Sequence, residues 1–113
     1  MTAPTWKEDI EARTPQGWYG LATPDGWDQL VYDLHESIKA LFPHYHVYQI
    51  KEKFGMLRYY CSVESEPPVR DLIREAEKKS ASICQTCGAP GSMRSLNGWS
   101  ATLCDAHYNA AKD

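Results

Sequence analysis

Apolar side chains recur every three or four residues along the stretch that begins at Trp27. This is the spacing of one buried face of an α-helix. Pro43 cannot continue a helix, so we predict that the helix ends there. His35 lies beside the apolar stripe, and we expect it to be exposed or hydrogen bonded and not a metal ligand. The stripe consists of Trp27, Leu30, Val31, Leu34, Ile38, Leu41 and Phe42.

Residues 45–63 have the composition of a β-hairpin. Aromatic and β-branched types dominate the segment, and Gly55 interrupts it once. The second strand alternates in polarity, which places Leu57, Tyr59, Cys61 and Val63 on one buried face. A turn at Phe54-Gly55 then fixes the pairing of the two strands. The predicted pairs are Lys53 with Met56, Ile50 with Tyr59, and Tyr48 with Cys61.

The opposite face of this hairpin collects basic and aromatic side chains. Lys51 lies directly across from Arg58 in the predicted register, and opposed like charges destabilise a sheet by roughly 0.2–1 kcal/mol. Carboxylates elsewhere in the fold, such as Glu52 or the acidic stretch from Glu8 to Glu11, would neutralise the pair, and this is the commoner situation. Alternatively, an anionic partner neutralises it. We name the candidate partner-binding residues the basic sheet face: Lys51, Lys53, Arg58 and Tyr60.

A second helix is predicted from about Val69 to Ile83, after a pair of prolines. Its apolar residues again recur at helical spacing. The helix leads directly into Cys84, so we expect the module that begins there to pack on the same domain. The stripe is formed by Val69, Leu72, Ile73, Ala76 and Ile83.

The C-terminal segment contains the spacing of a structural zinc site. The pattern is C-x-x-C, sixteen residues, then C-x-x-H, which falls in the range typical of paired zinc ligands. Three thiolates and one imidazole fill the tetrahedron around zinc and leave no position for water or substrate, which favours a structural role for one Zn²⁺. The predicted ligands are Cys84, Cys87, Cys104 and His107.

The residues between and after these ligands predict the local fold of the module. Gly88 follows the first pair and allows the tight turn of a knuckle. Asn97-Gly98 lies between two short strands, which is a strong hairpin signal, and a short helix is expected to carry the last two ligands. Knuckle, hairpin and helix in this order are typical of a treble clef.

The length of 113 residues indicates one compact domain. We divide it into an N-terminal extension at residues 1–24, a core at residues 25–83 and a zinc module at residues 84–113. The predicted fold class is α+β, with a helix, a β-hairpin and a second helix followed by a treble-clef-like module.

Composition and charge restrict the classes of function. The chain has 12 Lys and Arg against 15 Asp and Glu, a net charge of −3, which argues against binding nucleic acid through bulk positive charge. No apolar run approaches the roughly 20 residues that span a bilayer, so we expect no membrane association. The first residues lack the features of a signal peptide, and three of the four cysteines fall in the ligand pattern. We therefore expect a cytoplasmic protein in a reducing compartment.

The remaining motifs predict little further chemistry. No nucleophile is accompanied by a base and an orienting partner, and no phosphate-binding or dinucleotide motif is present. We therefore expect neither enzymatic activity nor a small-molecule substrate. Residues 54–59 partly match an RNA-binding strand motif, which keeps nucleic acid as an alternative partner of the basic sheet face, together with Arg94 and Lys112.

Four stretches together resemble a family of small zinc-binding proteins from phages, prophages and bacterial genomes. They are Gly26-Trp27, the hairpin from Gln49 to Tyr60, Ala76-Glu77 with Ser80, and the tail from Cys84 to His107. The resemblance covers roughly residues 25–107. It implies a phage, prophage or bacterial setting and no particular activity. In a phage setting, we expect a non-enzymatic protein that binds a host or phage protein. Such a protein would modulate host machinery or inhibit a bacterial defence system, as an anti-CRISPR does.

Overall fold

The computed structural model describes residues 5–112, which form four α-helices and two small β-sheets. This confirms the predicted α+β class. Residues 1–4 of the predicted N-terminal extension and residue 113 of the predicted module lie outside the described residues. None of the helices in residues 5–112 has the length and hydropathy of a membrane-spanning segment. The elements are α1 (Trp6–Ala12), β1 (Gly20–Ala22), α2 (Asp28–Leu41), β2 (Val47–Lys53), β3 (Met56–Cys61), α3 (Pro67–Ser80), β4 (Ser92–Leu96), β5 (Trp99–Leu103) and α4 (Asp105–Lys112).

Helix α2 supplies a large share of the core, as its apolar stripe predicts. A single 3₁₀ turn, Asp25–Trp27, precedes it, and the fully buried Trp27 belongs to that turn. The helix ends at Leu41, two residues before Pro43. Its buried residues are Val31, Leu34, His35 and Ile38.

The three-stranded sheet has the order β1-β2-β3, and β2 and β3 are antiparallel. Ile50 pairs with Tyr59, Lys51 with Arg58, and Lys53 with Met56, as predicted. The predicted pairing of Tyr48 with Cys61 is wrong, because the register shifts between Val47 and Gln49 and Val47 opposes Cys61 instead. One extra residue in β2 forms a bulge there. The bulge lets Val47 take the buried position, and the ring of Tyr48 lies 4.7 Å from that of Trp18.

The stretch before residue 25 contributes to both the sheet and the core. Strand β1 pairs in parallel with β2, with Leu21 beside Ile50, although the sequence pattern predicts no strand there. Helix α1 places Ile10 in the core with its side chain fully buried. The division of the chain at residues 24 and 83 stays a prediction.

A chain of hydrogen bonds connects α1 to the core through His35. The Nε2–H of His35 donates to Asp9 Oδ2 over 2.7 Å, and its Nδ1 accepts from the Tyr45 hydroxyl over 2.5 Å. The Tyr59 hydroxyl donates to Tyr45 over 2.6 Å, so each buried donor has an acceptor. Burial lowers the pKa of His35 despite the neighbouring carboxylate of Asp9. His35 is therefore a neutral, hydrogen-bonded core residue, one of the two predicted alternatives.

Helix α3 is shifted toward the N-terminus from its predicted position. It begins at Pro67 and ends at Ser80, whereas the pattern predicts Val69 to Ile83. Proline fits the first turn of a helix, where its missing N–H has no intrahelical acceptor. The helix ends early because the Ser80 hydroxyl donates to Glu77 O over 2.5 Å and accepts from Leu57 N over 2.9 Å. These bonds attach the end of α3 to strand β3.

Candidate functional site

The structure brings together all four predicted metal ligands. Their ligand atoms lie within 4.8 Å of one another, and no other group of three or more Cys, His, Asp or Glu in residues 5–112 converges in this way. His107 Nδ1 lies 3.2 Å from Cys104 Sγ and 3.7 Å from Cys84 Sγ, and the Sγ atoms of Cys87 and Cys104 are 3.9 Å apart. Ligand bonds of about 2.1–2.3 Å in a tetrahedron place donor atoms roughly 3.4–3.8 Å apart. The four residues therefore fit a tetrahedral metal ion.

Three local structures position these ligands. Cys84 and Cys87 lie in a knuckle that Gly88 closes, with a φ of 82° and an amide that donates to Cys84 O over 2.9 Å. The hairpin β4–β5 turns at Asn97-Gly98, as predicted. Helix α4 begins at Asp105, so His107 lies on its first turn beside Cys104.

The knuckle favours the thiolate form of Cys84. Burial raises the pKa of this thiol, but hydrogen bonds from the backbone amides of Cys104, Cys87 and Thr86 outweigh burial and lower it to about 6. Thiolate is the form of cysteine that ligates metals. The backbone therefore prepares Cys84 for a cation at neutral pH.

The C-terminal module contacts the rest of the fold at several places, two of which involve glycines of the core. At the first, the Gly26 amide donates to Gln85 O over 2.9 Å, and beside it the Trp27 indole donates over 2.9 Å to O of Ile83, the residue just before the module. A Cβ atom on Gly26 would lie 2.1 Å from Cys84 O, so glycine is required at this approach. At the second, the Thr102 hydroxyl donates to Gly55 O over 2.8 Å. The sequence marks Gly26-Trp27 as a motif but does not predict this contact.

The basic sheet face is arranged as the predicted register requires. Arg58 Nη1 lies 3.8 Å from Glu77 Oε2 of α3. A carboxylate of the fold therefore lies beside the Lys51–Arg58 pair, as expected, but it belongs neither to Glu52 nor to the acidic N-terminal stretch. The Glu52 carboxylate instead accepts from the Gly55 amide over 2.6 Å. Within residues 5–112, Lys51 and Lys53 form no ion pair.

Aromatic side chains are exposed close to this face. Tyr60 belongs to the face and is 37% exposed. Trp18, whose ring packs on Tyr48, is 53% exposed, and Tyr19 beside it is 76% exposed. Large exposed aromatic groups next to bases are common at sites where proteins bind partners.

Phe54 occupies a conformation that suits asparagine better. Its φ is 54° and that of Gly55 is 81°, so both turn residues are left-handed, as in the hairpin turn that prefers Asn-Gly. The Phe54 side chain is 70% exposed and gains little from burial. We therefore expect Phe54→Asn to raise the free energy of unfolding by about 1 kcal/mol, measured by chemical denaturation.

The second hairpin supplies a reciprocal control for this change. Asn97 has a φ of 50° at the equivalent position of its own turn. Asn97→Phe should lower the free energy of unfolding by a similar amount. A loss of stability in Phe54→Asn would instead mean that the Phe54 ring makes a stabilising contact, for example with Lys53, whose Nζ lies 5.7 Å from the ring centroid.

Comparisons of the whole chain with known proteins assign neither a family nor a function. No protein-family model matches the chain, and no match was found among curated proteins or solved structures. The resemblance to phage and prophage proteins and the cytoplasmic location therefore stay predictions. The candidate function depends on the metal cluster and the basic sheet face.

Proposed function

We propose that this protein is a non-enzymatic interaction protein that binds an acidic segment of a partner protein through its basic sheet face. The observation that carries this proposal is the position of Lys51 opposite Arg58, with Lys51 and Lys53 unpaired in residues 5–112. Glu77 lies beside Arg58 but pairs with neither lysine, so carboxylates of a partner would neutralise Lys51 and Lys53 and relieve the remaining repulsion across the sheet. Charge complementarity of this kind also raises the rate and specificity of association.

The metal centre has a structural role in this proposal. Its cation is one Zn²⁺, held by Cys84, Cys87, Cys104 and His107 in a treble-clef-like module. Four protein ligands fill the tetrahedral coordination of zinc, so the ion supplies folding energy and no site for substrate. The hydrogen bond from Thr102 to Gly55 O joins this module to the turn between β2 and β3, the strands that bear the basic sheet face.

The proposed partner is a protein of the host cell or of a phage. The resemblance of residues 25–107 to phage and prophage proteins supports this setting. Components of transcription and of bacterial defence systems are the candidate targets. An inhibitor of a defence system would act by occupying a surface of its target, which requires no catalytic residue.

Binding of nucleic acid by the same face is the second candidate function. It is favoured by the exposure of Tyr60 beside Lys51 and Arg58, because bases stack on aromatic rings next to cationic groups. The net charge of −3 opposes it. Fluorescence anisotropy with single-stranded DNA and RNA at low salt tests it, since phosphate contacts are strongest there. Absence of binding would remove this candidate.

Capture of partners from a bacterial host lysate tests the first candidate. We expect the double variant Lys51→Glu and Lys53→Glu to lose at least about 90% of each specifically captured protein, because two charges that face the partner are reversed. Arg58 is left unchanged, since it pairs with Glu77. Quantitative mass spectrometry of the bound fractions gives the readout.

A matched variant separates this effect from the change in total charge. Lys78 and Lys112 are exposed lysines outside the basic sheet face, and Lys78→Glu with Lys112→Glu changes the net charge equally. This control should capture the same proteins as the wild type. Identical captured sets for the wild type and the Lys51, Lys53 variant would contradict the proposal.

A further inference from the structure

A groove of about 680 Å³ lies between α2 and α3, on a different surface from the basic sheet face. Its apolar floor belongs to the two helices and to the residue just before the knuckle. Leu30, Leu72 and Ile83 pack on the core but remain partly exposed in the groove. Cys87 and Gly88 of the knuckle form one end. The full floor consists of Leu30, Leu34, Leu72, Ala76 and Ile83.

The rim of this α2–α3 groove is acidic. Asp28 pairs with Lys7 at 3.0 Å, and Asp33 accepts from the Gln29 amide over 2.9 Å. The side chains of Asp25 and Glu75 form no hydrogen bond or ion pair within residues 5–112. The rim carries one basic residue, Lys79, and four acidic residues, Asp25, Asp28, Asp33 and Glu75.

We propose that the α2–α3 groove binds a basic amphipathic helix of a partner protein. The rim carboxylates are spread along the groove and do not converge on one point, unlike the metal ligands, so they suit a row of separate cations better than a single ion. An apolar floor between charged rims is the form of a helix-binding groove.

The dimensions of the groove walls agree with such an occupant. The groove is lined by α2 from Asp28 to Ser37 and by α3 from Leu72 to Lys79, which gives walls about 12–15 Å long and room for roughly two to three helical turns. Leucine-like side chains at i, i+3, i+4 and i+7 would cover the floor, and lysine or arginine on the flanks would meet the rim. This surface is separate from the basic sheet face, so the inference does not depend on the proposed function.

Titration with a synthetic helical peptide tests this proposal on the zinc-loaded protein. The probe is a peptide of about 14 residues made of leucine and lysine, with leucines at helical spacing. Its counterpart carries glutamate in place of lysine. We expect amide chemical shifts of α2 and α3 to change with the basic peptide only, with a dissociation constant below about 100 μM.

Charge reversal at the rim supplies the decisive variant. Asp33→Lys with Glu75→Lys changes two exposed residues, and we expect it to weaken peptide binding at least about tenfold. Glu8→Lys with Glu11→Lys makes the same charge change at two exposed carboxylates of α1 and should keep the affinity. Equal weakening by both variants, shift changes confined to residues outside the groove, binding of the acidic peptide, or absence of binding would each overturn the proposal.

Discussion

Removal of zinc, or replacement of Cys84 by Ser, is expected to unfold residues 84–112. Zinc binding contributes about 10–16 kcal/mol in isolated finger peptides, as much as the whole stability of a small domain. The module buries too little apolar surface to compensate for the loss of this binding energy. Helix α4 contains no buried residue, and Leu103 is the main buried apolar side chain of the hairpin. Zinc content by elemental analysis and amide spectra with and without a chelator give the readout.

The remaining cysteine controls for loss of a thiol. Cys61 lies in β3 away from the ligand cluster, and burial raises the pKa of its thiol to about 11. Cys61→Ala should keep one zinc ion per chain and lower the free energy of unfolding by about 1 kcal/mol, as the loss of a small buried group does. A metal-free protein with a complete native spectrum would refute the structural role of zinc.

Local patterns in the sequence predict the parts of the fold that local forces determine. The stripe from Trp27 identifies α2 because one helical face must be buried. The pairing of Ile50 with Tyr59 follows from the turn at Phe54-Gly55, since the length of a hairpin turn fixes the register beside it. The metal ligands are predictable for a similar reason, because two residues between paired ligands let both reach one ion.

Features that depend on distant contacts could not be predicted in this way. Strand β1 has only three residues, too few for a period, and its parallel pairing with β2 joins segments that are far apart in the chain. The bulge at Tyr48 is not visible in an alternating pattern. The end of α3 at Ser80 depends on a hydrogen bond to Leu57, which only the folded structure brings near.

The close approach of Gly26 to the knuckle is another feature that depends on a distant contact. It supports a prediction of a large loss of stability. A methyl group on Gly26 would lie 2.1 Å from Cys84 O and 2.6 Å from the Gln85 carbonyl carbon. Both neighbours are backbone atoms, so the knuckle would have to move. We expect Gly26→Ala to lower the free energy of unfolding by about 3–5 kcal/mol, through steric overlap and loss of the Trp27–Ile83 and Gly26–Gln85 hydrogen bonds.

Zinc affinity should fall in the same variant, because displacement of Cys84 O also displaces the ligand sulfur of that residue. Chemical denaturation of the zinc-loaded proteins and competition with a chromogenic chelator measure the two effects.

Gly17→Ala is the matched control: Gly17 has a φ of 94° and no atom within 4 Å of the added methyl group. That control should lose only about 1–2 kcal/mol from backbone strain and keep its zinc affinity. If Gly26→Ala behaved like Gly17→Ala, the knuckle would not be held against the turn before α2 in solution.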